Sequence, residues 1–446
     1  MEQSVLRPMS SARAGAPLRG GIAVPGDKSI SHRALMLSAM AIGQTRITGL
    51  LTGEDVLRTA AAMRTLGAGI TQEADGIWSV WGLGVGGLQA PDDILDMGNS
   101  GTAARLLCGL LASHDIFSIM TGDASLRGRP MRRVIDPLSK IGAEFKAREG
   151  GYMPLSIQGT GEAMPLEYKL PIPSAQVKSA LLLAGLNTRG TTVIEEPEPT
   201  RDHTENMLRH FGAFIRVEPV GTGRMIRLSG HPYLIAKDIV VPGDPSSAAF
   251  PLVASLLVAG STVTIPGVGL NPLRTGLFTT LAEMGANVVI TNERVEGGEK
   301  VGDLIVTGTE LRGVDVPPAR APTMIDEYPI LAVAAAGARG VTRMRGLKEL
   351  RVKESDRLNA TARLLTANGV RVEIEDDDLI VHGMGGAVPG GGVVETHMDH
   401  RIAMSALVLG TIATAPVQVD DARFIDTSFP GFAALMVGLG AAITDI

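Results

Sequence analysis

The chain has one cysteine, Cys108, too few for an internal disulfide, which suits a reducing cytoplasm. Aromatic residues make up only 3%, so the core must be built from Leu, Val, Ile, Ala and Met. The net charge of −6 shows no cationic excess. That argues against a general nucleic-acid or membrane-surface binder but leaves room for a local cationic cleft. Gly, Ser, Pro or charge interrupts every apolar stretch before it reaches the length of a membrane span. There is no Walker phosphate loop and no G-x-S-x-G elbow. The glycine-rich run WGLGVGGL (Trp81 to Leu88) lacks dinucleotide-binding spacing and reads as a turn. No cysteine or carboxylate set joins His397 and His400, so a metal site is set aside. The segment from Met1 to Leu18 lacks the apolar run of a signal peptide. A frayed terminus is expected there, ahead of a transit peptide.

Repetition takes the place of these missing features. Six times along the chain, at nearly regular intervals, a leucine-rich stretch runs into a glycine: Gly67, Gly142, Gly212, Gly285, Gly369 and Gly440. A small residue follows each glycine, and Met63, Leu138, Leu208, Leu281, Leu365 or Met436 stands four positions before it. This spacing predicts an amphipathic helix stopped by a left-handed glycine, with a strand after it. A second series interleaves: helices apolar on all faces, with polar starts at Ser31, Ser100, Ser174, Ser246, Asp326 and Asp399. Such helices are buried. With short strands such as TRITGL and STVTIP between them, the order reads strand–helix–strand–helix–strand–strand, six times over.

At 446 residues, two domains of three repeats each are expected. An echo marks their boundary: VPGDKS begins at Val24 and VPGDPS at Val241, three repeats further on. The plain alternative is a pair of ordinary Pro-Gly turns, but the three-repeat offset favours duplication. Two crossings between lobes, near 24–29 and 241–246, then give one lobe of residues 26–243 and another of 1–25 plus 244–446.

Polar residues gather at the helix starts, where free N–H groups and the helix dipole favour anions. PGDKSISHR places Lys28, Ser29 and Arg33 at the first buried helix, with Arg33 expected in its first turn. An apolar helix has no use for a buried Arg33 without an anionic partner; the alternative is a solvated surface start. In GNSGTAAR, Asn99 and Ser100 can cap, and Gly101 permits close backbone approach to a ligand; a plain cap followed by a structural Arg105 reads equally well. GDASLRGRPMRRV holds Arg127, Arg129, Arg132 and Arg133, with Arg129 before Pro130 suiting a first helical turn. PSAQVKSA offers Ser174 and Gln176, and TRDHTE adds Arg201. In the other half, Asp326 is either a cap or a functional carboxylate. LRVKESDR sets Lys353 and Arg357 four apart, expected on one helical face with an anion between them, and THMDHRIAM adds His400 and Arg401.

Taken in order, PGDKSISHRA, GNSGTA, GDASL…RPM, SAQVKSALLLAGL, RDHTE, PGDPSSAAFPLVA, DEYPILAVAAA, RVKESDR and DHRIAM resemble the 5-enolpyruvylshikimate-3-phosphate synthase family, most closely its bacterial class II form, from about Leu18 to the C-terminus. The resemblance implies an α/β fold: a two-lobed inside-out barrel of six βαβαββ repeats, with parallel helices inside and sheets outside. It also implies transfer of the enolpyruvyl group of phosphoenolpyruvate to the 5-hydroxyl of shikimate 3-phosphate, with no cofactor. By motif, Lys28, Ser29, Arg33, Ser174, Ala175, Gln176, Arg201, Asp326 and Lys353 should hold shikimate 3-phosphate. Lys28, Gly101, Arg129, Gln176, Arg357 and Arg401 should hold phosphoenolpyruvate. Asp326 is the expected base, Glu354 the proton donor to the methylene carbon, and Lys28 an aid at the bridging oxygen. Thr427 stands where many members carry a lysine, a lack that class II members share. Glycine at 101 implies inhibition by glyphosate. A cytoplasmic monomer is expected. One rival is the sister enolpyruvyl transferase acting on UDP-N-acetylglucosamine, which places a reactive cysteine in the loop that here reads GDASLRGRP. Another is a non-catalytic repeat scaffold, which gives no reason for the cations at the helix starts.

Overall fold

A computed structural model describes residues 6–446, and the chain divides into two compact units. The first comprises Gly26–Val241 with Val295–Glu299; the second comprises the chain up to Pro25, Pro242–Arg294 and Lys300–Ile446. Each has its own continuous core of aliphatic side chains. Six helices are buried along almost their whole length: α1 (Lys28–Ala39), α2 (Gly101–Ala112) and α3 (Ala175–Leu186) in the first unit, and α4 (Pro245–Leu257), α5 (Tyr328–Gly337) and α6 (His400–Gly410) in the second. Their small apolar residues permit close packing. A Cβ added at Gly109 of α2 would lie 2.1 Å from the Ala180 carbonyl of α3, so only glycine lets these two backbones approach.

Side chains cap five of these helices by accepting backbone N–H groups: Asp27, Ser100, Ser174, Asp244 and Asp399. Three expected starts are therefore corrected. Ser31 lies inside α1 and accepts from the Leu51 N–H; Ser246 lies in the first turn of α4; and Asp326 precedes Glu327, the residue before α5. In both PGDKS and PGDPS the aspartate lies upstream of the serine and takes the cap, so the echoed segments do the same local job.

Six further helices are Glu54–Thr65, Arg132–Ser139, His203–His210, Gly276–Glu283, Arg357–Ala367 and Phe432–Gly438. Each runs into one of the six repeated glycines, and all six glycines have φ between +78° and +109°. At five of the six, the residue after the glycine donates its N–H to the carbonyl five positions earlier: Ala68 to Met63, Ala213 to Leu208, Ala286 to Leu281, Val370 to Leu365 and Ala441 to Met436. That six-to-one bond explains why a large apolar residue and a small one recur at a fixed spacing around each glycine.

The helices are backed by six four-stranded sheets of one recurring order. One runs Leu95–Asp96, Phe117–Thr121, Tyr152–Gln158, Glu144–Arg148. In all six, a short first strand pairs parallel with the second. Two of these short strands come from just before a crossing: Ile239–Val240 pairs back onto Ile42–Thr48, and Arg19–Gly21 pairs onto Thr262–Gly269. Met9–Ala12 lies between Val417–Val419 and Ala442–Asp445 in a sheet of the second unit, with Ser11 fully buried. The expected frayed terminus is thus wrong for this strand, whose backbone is paired on both sides. Residues 1–5, covered by the same expectation, lie outside the described residues. Among the described residues, no helix is long and apolar enough to cross a membrane.

Candidate active site

In the first unit, Lys28 opens α1 and its Nζ lies 3.0 Å from Asp55 Oδ2. Arg33 is in the second turn of α1, not the first, and is almost wholly buried. All three of its nitrogens donate to uncharged oxygens: Nε to Thr204 Oγ1 at 2.7 Å, one terminal nitrogen to the Ser29 carbonyl at 2.8 Å, and the other to Ser179 Oγ at 2.7 Å. Burial pushes the Arg33 pKa down to about 10; Asp27 and Glu205 oppose that fall, and nearby Arg201 adds to it. A guanidinium sheltered by hydroxyls and facing a second cation favours an incoming anion.

Gly101, Arg129 and Gln176 come together around Arg105 in the same unit. Gly101 is the first residue of α2, after the Ser100 cap. A Cβ there would lie 2.9 Å from an Arg105 terminal nitrogen and 3.2 Å from one of Arg129. Arg129 does not sit in a first helical turn. It lies between the short helix Ala124–Arg127 and the helix from Arg132, where it donates to Asn99 Oδ1 at 2.8 Å and Ser125 Oγ at 3.0 Å. Arg105 donates to Gln176 Oε1 at 2.9 Å, and Gln176 Nε2 donates to Thr102 Oγ1 at 3.0 Å. Ser174 caps α3, and Ala175 is that helix's first residue.

In the second unit, one buried guanidinium organises the other expected residues. Arg357 donates to Asp326 Oδ1 at 3.0 Å and to Asp399 Oδ2 at 2.7 Å, and it pairs with Glu354. Burial alone would lower its pKa, but Asp399, Glu354 and Asp326 outweigh burial and raise it, so Arg357 stays charged. Lys353 Nζ lies 3.7 Å from Asp326 Oδ1. Lys353 and Arg357 do not share a helical face: a 3-10 turn ends at Val352, and the α-helix starts only at Arg357, capped by Asp356. Carboxylates, not helical geometry, hold these two cations near each other. Arg401, in the first turn of α6, donates to the Asp326 carbonyl at 3.1 Å and lies 3.6 Å from Glu327 Oε1. Thr427 ends a 3-10 turn and donates to the Phe424 carbonyl.

A sequence profile of EPSP synthase (3-phosphoshikimate 1-carboxyvinyltransferase) matches residues 12–436. The chain belongs to the EPSP synthase family. The 3-phosphoshikimate 1-carboxyvinyltransferase of Acidiphilium cryptum is 69% identical over 443 residues, 99% of either chain. That of Granulibacter bethesdensis is 69% identical over 98% of this chain and 97% of its own. A solved structure of EPSP synthase from Acinetobacter baumannii superposes with a TM-score of 0.88 at 43% identity, covering 99% of this chain and 100% of that one. The fold is therefore the mixed α/β fold of EPSP synthases.

Several residues that contact or lie close to the expected site residues go unmarked in the sequence. Asp399 is marked there only as a helix start, yet it both caps α6 and carries Arg357. Asp55, the partner of Lys28, has no flanking signal. Thr204 and Glu205 lie in the polar run RDHTE, whose density near Arg201 is the one sequence clue to them.

Proposed function

We propose that this chain catalyses attack of the 5-hydroxyl of shikimate 3-phosphate on C2 of phosphoenolpyruvate, followed by loss of phosphate. The observation that carries this reading, beside family membership, is that Asp326 and Glu354 are held on the same buried guanidinium. Two carboxylates fixed by one cation can act as base and acid on a single reacting centre. Asp326 takes the hydroxyl proton, and Glu354 protonates the methylene carbon. The resulting tetrahedral intermediate then loses a methyl proton and expels phosphate, with Lys28 assisting at the bridging oxygen. Ser29, Arg33, Ser174, Ala175, Gln176 and Arg201 hold shikimate 3-phosphate, with Asp326 and Lys353 at its ring. Lys28, Gly101, Arg129, Gln176, Arg357 and Arg401 hold phosphoenolpyruvate. In this reading the units are lobes of three βαβαββ repeats each, bounded near 24–29 and 241–246, with helices inside and sheets outside. The enzyme is a cytoplasmic monomer open to glyphosate.

The test is phosphate release from phosphoenolpyruvate. Release that requires shikimate 3-phosphate, and that UDP-N-acetylglucosamine does not support, is expected; the reverse substrate preference overturns the assignment. The sister activity is disfavoured because Cys108 is buried in α2, where burial pushes its thiol pKa up to about 12, the opposite of an activated nucleophile.

A further inference from the structure

Lys178 lies on α3 in the first unit and is fully buried. An ammonium in that position carries a large desolvation cost and must be matched on all three donors. It is matched: Nζ lies 3.1 Å from Glu196 Oε1, 2.8 Å from Glu205 Oε1 and 3.2 Å from the Thr200 carbonyl. Glu196, also fully buried, accepts from the Thr200 N–H at 3.0 Å and from the Thr200 hydroxyl. Every polar group of Thr200 is thus held by Lys178 or Glu196. The residue that follows is Arg201.

The same two elements hold Arg33. Ser179, the neighbour of Lys178, and Thr204, the neighbour of Glu205, donate and accept between themselves at 2.7 Å and both take N–H groups of Arg33. Two tiers result. An outer tier of hydroxyls touches Arg33, and an inner tier of one lysine and two glutamates fixes the backbone that carries those hydroxyls and Arg201. A buried triad with two carboxylates on one ammonium is not needed to fill this space, since well-packed apolar residues commonly serve as well or better. Its distinctive geometric effect is to pin the Glu196–Glu205 stretch, which Pro197 and Pro199 already stiffen.

We propose that Lys178, Glu196 and Thr200 are positioning residues that set Arg33 and Arg201 at the spacing required by the anionic groups of shikimate 3-phosphate. This rests on the functional reading above and adds to it a role for residues that do not touch substrate.

The test compares Thr200→Val, which loses only the hydroxyl, with Thr200→Ser, which keeps it. Calorimetric affinity for shikimate 3-phosphate, the KM for phosphoenolpyruvate, kcat and the melting temperature are measured for each. Misplacing a binding group by a fraction of an ångström to an ångström can cost up to about a hundredfold, so Thr200→Val should weaken shikimate 3-phosphate binding roughly tenfold. Thr200→Ser should restore it, with the KM for phosphoenolpyruvate little changed in both. Should Thr200→Val not fold, Glu196→Asp, which keeps the charge but draws the carboxylate back by one methylene, should give the same selective loss. Unchanged shikimate 3-phosphate affinity in the folded variants, even with a lower melting temperature, makes the triad purely structural and overturns the proposal. A wild-type protein that does not bind shikimate 3-phosphate overturns the functional reading instead.

Discussion

Arg33 and Arg357 are both arginines buried near the start of a helix, yet their surroundings are opposite. Arg33 is ringed by neutral oxygens and its pKa is pushed down to about 10. Arg357 is ringed by three carboxylates and its pKa is raised. Burial has the same sign at both and cannot explain the difference; partner charge does. A buried cation whose donors are spent on neutral oxygens still lacks a full counter-charge, which an anionic ligand can supply. A buried cation already facing three anions serves to hold those anions in place. Under the proposed function, the first unit's cluster serves as the anion receptor and the second unit's as the holder of acid and base groups.

The comparison breaks most visibly through the carboxylates. Asp326→Ala and Glu354→Gln should each lower kcat by about 10²- to 10⁴-fold, the usual contribution of a positioned proton-transfer group, while shikimate 3-phosphate still binds. Steady-state kinetics beside calorimetry checks this, and near-normal turnover in both variants removes the acid–base pair. Arg33→Met should do the converse. A charge-assisted hydrogen bond contributes about 1.5–3 kcal/mol, so affinity for shikimate 3-phosphate should fall roughly ten- to a hundredfold, with kcat far less affected. The pH dependence sharpens the point. Below pH 10 Arg33 is charged; as pH rises through about 10 it neutralises, and the wild type should lose its advantage over Arg33→Met in binding. The sign for stability is opposite. Because the folded pKa lies below the ordinary arginine value, the unfolded chain holds the extra proton as pH rises above about 10, and there loss of the charge favours the fold. Binding and melting curves for the two proteins, compared from about pH 9 to 11, should therefore move in opposite directions.

What the sequence made legible was local. The glycine stops could be read because the cap bond joins positions five apart, leaving a large apolar and a small residue around each glycine. The buried helices could be read because apolar residues dominate every face, with only a few polar side chains such as Arg33 and Lys178 among them. Helix starts were half legible: Ser100, Ser174 and Asp399 do cap, but at α1 and α4 an aspartate upstream of the serine wins the position. The Lys353–Arg357 spacing misled because helical periodicity was carried across a 3-10 break. The strand Met9–Ala12 was missed because the strands that define it lie at the opposite end of the chain, and a run of Met, Ser and Ala announces nothing. The hydroxyls around Arg33 are also distant in sequence, on Ser179 and Thr204. Spacing along a chain reports what neighbours do; it is silent on which distant oxygen will meet a buried guanidinium.

Gly101 offers the smallest and most selective test, because it sits beside cations of the receptor kind. A Cβ at 101 would lie 2.9 Å from Arg105 and 3.2 Å from Arg129, inside normal contact distance at both. The backbone need not move, since both neighbours are the far ends of flexible side chains. Arg129, however, is tied to Asn99 and Ser125, and Arg105 to Gln176, so a shift of either rearranges the surroundings of Gln176. Overpacking of this kind costs about 1–3 kcal/mol when neighbours are fixed and less when they yield, so Gly101→Ala should raise the KM for phosphoenolpyruvate only a few-fold. Glyphosate, expected to compete for the same place, should lose more, because specificity is set by the difference between two affinities and the added methyl need not oppose both ligands equally. Inhibition constants measured against phosphoenolpyruvate decide the matter. A larger rise for glyphosate than for substrate supports a shared site bounded by residue 101, and equal constants in wild type and Gly101→Ala place the inhibitor elsewhere.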